Sequence, residues 1–319
     1  MHHASGLVLP AFAVPWPRPD SPPRGTLHLT PDDVGVASRA AYLAAGGTDS
    51  ELRAAVRQGA LRRIAPGWYA EASAQPKVSR PIREGYRLTC ISATRMHGVW
   101  TPYGDSSPDH DEDDPHRLHV YCDRSAKAAP RGMSARHART GRWQEPDPIA
   151  SLPLALHHAM RCQSGETAAI LLESAIERRL LTPNEVQLMM DDASAAVSSR
   201  IGSLSTASDS GSETRVVRWL RRRGFHVDQQ PFVDGVGYLD VYAGGLFLEI
   251  DGRAPHDTPD AFTRDRRRDL MTSSHGLQVL RISYDQVWSS WEDTQKMILS
   301  AITAVGPFGR KKVAELLAR

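Results

Sequence analysis

Cysteine is scarce in this 319-residue chain: Cys90, Cys122 and Cys162 are scattered, odd in number and in no Cys-x-x-Cys pair. That argues against a disulfide framework or a zinc site, and for a reducing, cytoplasmic setting. No run of ~18 apolar residues is present, which excludes a membrane-spanning helix and leaves no membrane partner to expect. A large charge excess is also missing. With a net charge of +2, any contact with nucleic acid must come from local basic patches. The 40% of hydrophobic residues suit a soluble, globular chain of two or three domains. Residues 1–25 carry an apolar patch broken by Pro10, Pro15, Pro17, Pro22 and Pro23. No basic stretch precedes it, so it reads as a disordered lead and not as a signal peptide.

What the chain does have is a short acidic hairpin at residues 238–252. Gly244-Gly245 suits a two-residue turn in which both positions need positive φ. The register follows: Ala243 faces Leu246, Tyr242 faces Phe247, Asp240 faces Glu249 and Tyr238 faces Asp251. Alternation then puts Leu239, Val241, Leu246, Leu248 and Ile250 on one aliphatic face, and Asp240, Glu249 and Asp251 on the other. Like charges directly opposite on paired strands are destabilising. Two readings offset the repulsion: a hard divalent cation such as Mg²⁺ (or Mn²⁺) held by carboxylate oxygens, or a polar face fanned into water.

Residues 26–75 read as a small helical module with a β-wing. An Ala-rich helix over 34–45 is stopped by Gly46-Gly47. Thr48-Asp49-Ser50-Glu51 is a capping box that opens a second helix running to Gln58. Leu52 and Val56 share one of its faces, and Arg53 and Arg57 another. Residues 61–64 and 67–70 form the wing, which carries Arg62 and Arg63. Helix, tight turn, helix and basic wing is the layout of a winged helix-turn-helix, whose second helix enters a DNA major groove; solvated arginines on a packing module are the plainer alternative.

The segment 76–198 is a mixed α/β middle region. It contains an expected helix over 83–100, an acidic solvated loop over 102–115, a strand over 117–122 and helices over 149–161, 166–180 and 183–196. His157 and His158 are adjacent and do not share a helix face. Ser and Gly dominate 199–211, which reads as a linker and domain boundary. Beyond it, residues 212–305 predict the order αβββαβα: a helix over 213–223 capped by Ser212, a strand with Gln229 and Gln230, the acidic hairpin, an Arg/Asp-rich helix over 260–273, a strand over 277–282 and a last helix over 285–305. Residues 306–319 form a tail.

Two resemblances follow from these motifs. The layout Gly-Gly-Thr-Asp-Ser-Glu-Leu-Arg…Gly-Ala-Leu-Arg-Arg-Ile…Gly-Trp-Tyr, over 37–69, resembles the N-terminal domain of abortive-infection (AbiEi-type) antitoxins of type IV toxin–antitoxin systems. This implies DNA binding, autoregulation and a cognate toxin or antitoxin partner. The set Ser212-Glu213…Asp240…Glu249-Ile250-Asp251-Gly252…His256…Arg264-Asp265-Arg266-Arg267-Arg268-Asp269…Val279-Leu280-Arg281 resembles the PD-(D/E)XK nucleases, in particular the very-short-patch-repair branch. That resemblance implies one or two Mg²⁺ ions gathered by Glu213, Asp240 and Glu249. The usual lysine position is held by Asp251, and His256, Gln229 or Gln230 could take over the work on water and leaving group. Arg264, Arg267 and Arg268 could hold backbone phosphates, or form an intrahelical salt-bridge face.

The fold class expected is therefore α/β, or α+β overall, with a winged helix-turn-helix, a mixed middle region and a PD-(D/E)XK-like domain. The expected function is a Mg²⁺-dependent endonuclease on DNA in genome defence or a toxin–antitoxin-like system. The alternative is a non-catalytic DNA-binding antitoxin or regulator. Cutting both strands would require a homodimer, since each chain holds one site.

Overall fold

The computed structural model describes residues 34–102, 118–122, 135–137, 147–251 and 259–306, with backbone alone for 135, 136, 259–265 and 267. The expected lead, the acidic loop, the tail beyond Gly306 and His256 lie outside the described residues, as do the side chains of Arg264 and Arg267. The chain is a mixed α/β protein made of two compact units, one comprising residues 1–98 and 108–159 and the other 99–107 and 160–319. Among the described residues no helix is long and apolar enough to cross a membrane. The division does not fall at 199–211, which lies wholly within the second unit.

The first unit opens with β1 (Val36–Ser38), α1 (Arg39–Ala44), α2 (Asp49–Arg57), β2 (Arg62–Ala65) and β3 (Trp68–Ala70). The strands form an antiparallel sheet in the order β1-β3-β2. The expected helix over 34–45 is half strand: Val36 pairs with Ala70, and the helix starts only after Ser38, whose Oγ accepts the Ala41 N–H at 3.0 Å. Gly35 at φ 67° turns the chain into that strand. The Thr48 capping box forms as expected, with Glu51 N–H to Thr48 Oγ1 at 3.2 Å and Thr48 N–H to Glu51 Oε2 at 2.8 Å. Thr48→Ala should cost about 1 kcal/mol of stability, read as a lower urea midpoint at unchanged m. Tyr42, Leu52, Ala55 and Leu61 are buried together beneath α1 and α2.

Further along come α3 (Pro76–Arg83), β4 (Tyr86–Leu88), α4 (Cys90–Met96), β5 (His119–Cys122), β6 (Ala135–His137) and α5 (Leu152–Cys162), which runs past Ala159 into the second unit. A second sheet has the order β4-β5-β6, antiparallel then parallel. The helix expected over 83–100 is interrupted by β4. Gly85 at φ 82° ends the preceding helix, and Tyr86, Arg87 and Leu88 pair with Cys122, Tyr121 and Val120.

The second unit contains α6 (Gly165–Glu177), α7 (Pro183–Asp192), α8 (Ala195–Ile201), α9 (Gly211–Arg222), β7 (Val227–Gln229), β8 (Phe232–Val233), β9 (Gly237–Tyr238), β10 (Val241–Ala243), β11 (Leu246–Ile250), α10 (Pro259–Ser274), β12 (Val279–Ile282), α11 (Tyr284–Trp288) and α12 (Trp291–Ala304). Its main sheet has the order β12-β11-β10-β7, with β11 and β12 parallel and the other neighbours antiparallel.

The hairpin register is the expected one next to the turn, where Tyr242 pairs with Phe247 and Ala243 with Leu246; Tyr238, expected opposite Asp251, pairs instead with Phe232 on β8. Gly244 and Gly245 have φ 62° and 96°, as a mirror-image turn requires. A Cβ on Gly244 would stand 2.6 Å from Ile302 Cγ2. Gly244→Ala should therefore lose about 2 kcal/mol from the left-handed backbone and the clash, measurable by thermal or urea unfolding.

One sheet face is sealed by Val216, Val217 and Leu220 of α9 together with Val287, Ile298 and Ile302, over Val241, Leu246, Leu248 and Ile250. Leu239 was expected on that face but packs on the opposite one with Phe247, Val233 and Leu277. The chain bends at Asp240, between β9 and β10, so strand alternation does not carry through that residue.

Residues 202–210 lack regular structure yet are not a free linker. Glu173 of α6 is buried and accepts Thr214 Oγ1–H at 2.6 Å and Ser205 N–H at 2.9 Å. Burial raises its carboxyl above the ordinary range, against those two hydrogen bonds.

Candidate active site

Three acids of the second unit, from separate elements, lie near enough for Asp240 to act on the charge of both Glu213 and Glu249. Glu213 comes from the first turn of α9, Asp240 from the bend before β10, and Glu249 from β11, next to the strand's last residue. The cap of α9 is Ser210 and not the expected Ser212, and it holds Glu213 directly. Ser210 Oγ accepts the Glu213 N–H at 3.2 Å and its hydroxyl donates to Oε1 at 3.1 Å, while Asp209 N–H donates to Oε2 at 3.1 Å. Ser212 Oγ instead accepts Trp288 Nε1–H at 2.9 Å, which fastens the helix start to α11.

The expected Asp240–Glu249 facing pair does not form in the ladder, although the Asp240 charge still acts on Glu249. Strand pairing ends at Val241–Leu248, and Asp240 Oδ2 accepts the Ile250 N–H at 2.8 Å. Glu249 is opposite Arg281 on the parallel strand β12. Its Oε2 accepts Arg281 Nε–H at 3.1 Å, and its Oε1 lies 2.8 Å from Arg268 Nη2. The Oε1 contact is an ion pair without hydrogen-bond alignment, and this buried oxygen makes no hydrogen bond. Arg268 also donates to the Tyr238 carbonyl, and Arg281 Nη2 lies 2.5 Å from Asp269 Oδ1.

Burial and mutual charge set the ionisation of the three acids. Glu213 is 4% exposed and Glu249 8%. Burial, and then the Asp240 carboxylate, push Glu213 up to about 7. Asp240 is raised mainly by burial, opposed by the Ile250 N–H and Arg268. Glu249 is also raised mainly by burial; Arg268 and Arg281 oppose the shift and Asp240 adds to it. Raised carboxyls that feel one another at partly buried positions are unstable as a bare anionic set. A divalent cation with oxygen ligands is one way to relieve such repulsion, but among the described residues these three acids do not form a group whose ligand atoms all lie within 4.8 Å of one another.

Other expected site residues are placed differently. Asp251 is exposed, although its charge still raises Asp240. Gln229 is not directed at the acids. It pairs with Val241, and its side chain is consumed by Ser208 Oγ at 2.9 Å, Ser205 Oγ at 2.7 Å and Arg221 Nη2 at 2.9 Å. Arg268 neutralises Glu249 where a free phosphate ligand was expected. The arginines of α9 are also taken up internally: Arg215 and Arg222 pair with Glu166 at 3.3 and 2.7 Å, and Arg218 donates to the Ser203 carbonyl at 2.8 Å. In the first unit, Arg53 and Arg57 on α2 and Arg62 and Arg63 on β2 are all exposed.

Sequence reasoning missed Asp209 and the pairing role of Arg281. Arg281 had a signal, because a parallel strand following β11 sets its arginine beside Glu249. No protein-family model and no curated protein matches the sequence.

Proposed function

We propose that the chain is a Mg²⁺- or Mn²⁺-dependent endonuclease of the PD-(D/E)XK kind that hydrolyses DNA phosphodiester bonds. The single observation carrying this reading is that Asp240 acts on the charge of both a helix-borne Glu213 and Glu249, three carboxyls each raised by burial. When bound there, the cation supplies Lewis acidity towards a phosphate oxygen and lowers the pKa of water. Asp240, Glu249 and Glu213 hold it. The Ile250 N–H fixes the Asp240 carboxylate, and Ser210 and Asp209 fix Glu213. Arg268, partly exposed and ion-paired with Glu249, would stand beside a phosphate bound at these acids.

The first unit supplies the DNA grip in this reading. Its helix pair and wing act as a winged helix-turn-helix, with Arg53 and Arg57 on the second helix and Arg62 and Arg63 on the wing contacting phosphates. The setting is cytoplasmic genome defence or a toxin–antitoxin-like system, with a cognate partner protein, and a homodimer where both strands are cut.

A second reading, a non-catalytic DNA-binding regulator or antitoxin, is favoured by one specific observation. Glu249 is already neutralised by Arg268 and Arg281, while Asp251 stands where the resemblance places lysine. Supercoiled plasmid incubated with Mg²⁺ or Mn²⁺ separates the two. Cation-dependent nicking that EDTA stops supports the nuclease; tight DNA binding without nicking on any DNA supports the regulator.

A further inference from the structure

Within the first unit, one thiol and two imidazoles converge beside the sheet β4-β5-β6. Cys90 opens α4, His119 opens β5 and His137 closes β6. The parallel pairing sets His119 opposite Ala135 and Tyr121 opposite His137. The two histidines are thus two residues apart in register, and alternation puts both on one face. Backbone brings Cys90 to the same place. Thr89 N–H donates to the His119 carbonyl at 2.9 Å, and Ser92 Oγ accepts the His119 N–H at 3.0 Å, so the residues on either side of this thiol are tied to the first histidine. One ligand atom from each of the three lies within 4.8 Å of the other two, and His137 Nε2 is 3.5 Å from His119 Nδ1. Around one tetrahedral zinc ion, two imidazole nitrogens stand about 3.3 Å apart and a thiolate sulfur about 3.6 Å from each. The histidine pair therefore needs almost no movement to share an ion.

The supports of the trio belong to the same unit. His158 stacks on His137 with ring centroids 4.7 Å apart, and its Nδ1 is 2.7 Å from Thr89 Oγ1. One buried ring thus braces the second histidine and the residue before the cysteine together. Cys90 is completely buried and has φ 53°. That left-handed conformation costs a non-glycine residue about 1–3 kcal/mol and persists where surroundings over-determine it. Here it holds a thiol against two imidazoles.

We propose that Cys90, His119 and His137 bind a zinc ion within the first unit. A thiolate with imidazoles selects zinc over hard cations such as Mg²⁺. Three protein donors hold zinc in sites where water or a further ligand takes the fourth position, so the trio suffices. The ion ties the start of α4 to β5 and β6, and its binding free energy adds to the stability of that packing. The spacing expectation against zinc rested on the missing Cys-x-x-Cys pair, whereas these ligands are spread over residues 90–137 and only folding gathers them. The proposal does not depend on the nuclease reading.

The full chain, purified under reducing conditions and loaded with zinc, should hold one ion per chain by elemental analysis and unfold at a higher temperature than the metal-free chain. Cobalt(II) in its place should give the intense visible bands of a tetrahedral ion and a thiolate charge-transfer band. Cys90→Ser should weaken the charge-transfer band. His137→Gln, at a half-buried strand end, should keep the wild-type far-UV circular dichroism, lower metal affinity at least ~100-fold and abolish the thermal shift, so the outcome does not hang on the buried cysteine variant folding. His226→Gln is the control for adventitious histidine binding, since that side chain is 88% exposed in the second unit; it should leave affinity unchanged. Wild type that takes up neither zinc nor cobalt, a folded His137→Gln that binds as tightly as wild type, or an equal loss in His226→Gln would each overturn the proposal.

Discussion

Asp240→Asn is expected to reduce cation-dependent DNA cleavage by at least ~10³-fold while the protein stays folded. The substitution is nearly isosteric, and its amide oxygen can still accept the Ile250 N–H that Asp240 accepts at 2.8 Å. What disappears is one negative charge and one hard oxygen ligand, which the acid set needs to hold a divalent cation. Glu249→Gln should act in the same direction, and it also leaves Arg268 and Arg281 without their carboxylate. DNA affinity measured by gel shift should remain within a few-fold of wild type in both variants. Nicking that persists at the wild-type rate in Asp240→Asn preparations would remove the site from the reaction.

Glu213→Gln should stabilise the protein in alkaline buffer and leave it unchanged in acid. Glu213 titrates near 7 in the fold against an ordinary value of 4.5, so the native state keeps a proton that the unfolded chain has released. Stability from this group is present below the unfolded value and lost as pH rises through 4.5 to about 7. A displacement of that size corresponds to about 3 kcal/mol above neutrality. Glutamine mimics the protonated acid: its oxygen accepts the Asp209 N–H and its amide donates to Ser210 Oγ. Urea unfolding in cation-free buffer at about pH 8 and about pH 4 measures the difference. Equal stability of variant and wild type at the higher pH would contradict the burial-driven shift. Saturating Mg²⁺ should shrink or reverse the gap, because the wild-type carboxylate then has a counter-charge.

The parts of this molecule legible in sequence are those set by neighbouring residues. Gly244-Gly245 specified the turn and therefore the register, since both residues must adopt positive φ. Thr48 and Glu51 specified a helix start by reciprocal hydrogen bonds that need nothing from elsewhere. Asp240 and Glu249 were readable as neighbours because the turn sets the register as far as Val241–Leu248, one step short of them.

Expectation went astray where long-range pairing overrides local preference. Val36 to Ser38 reads as helix until β3 arrives to pair with it, and β4 reads as helix until β5 does. Leu239 misled because alternation was carried through Asp240, where the chain bends. Gln229 looked available because its partners, Ser205, Ser208 and Arg221, are identified only once the serine-rich stretch folds back.

That serine-rich stretch bears on how the second unit can be isolated. A fragment starting at Ser212 would discard the Ser210 hydroxyl and Asp209 amide that clamp Glu213, the Glu173 acceptor of Thr214 and the Glu166 partner of Arg215 and Arg222. Inactivity of such a piece would report broken scaffolding and not absent chemistry. The shortest informative truncation begins before Gly165, so that the helix bearing both glutamates travels with the acids it supports.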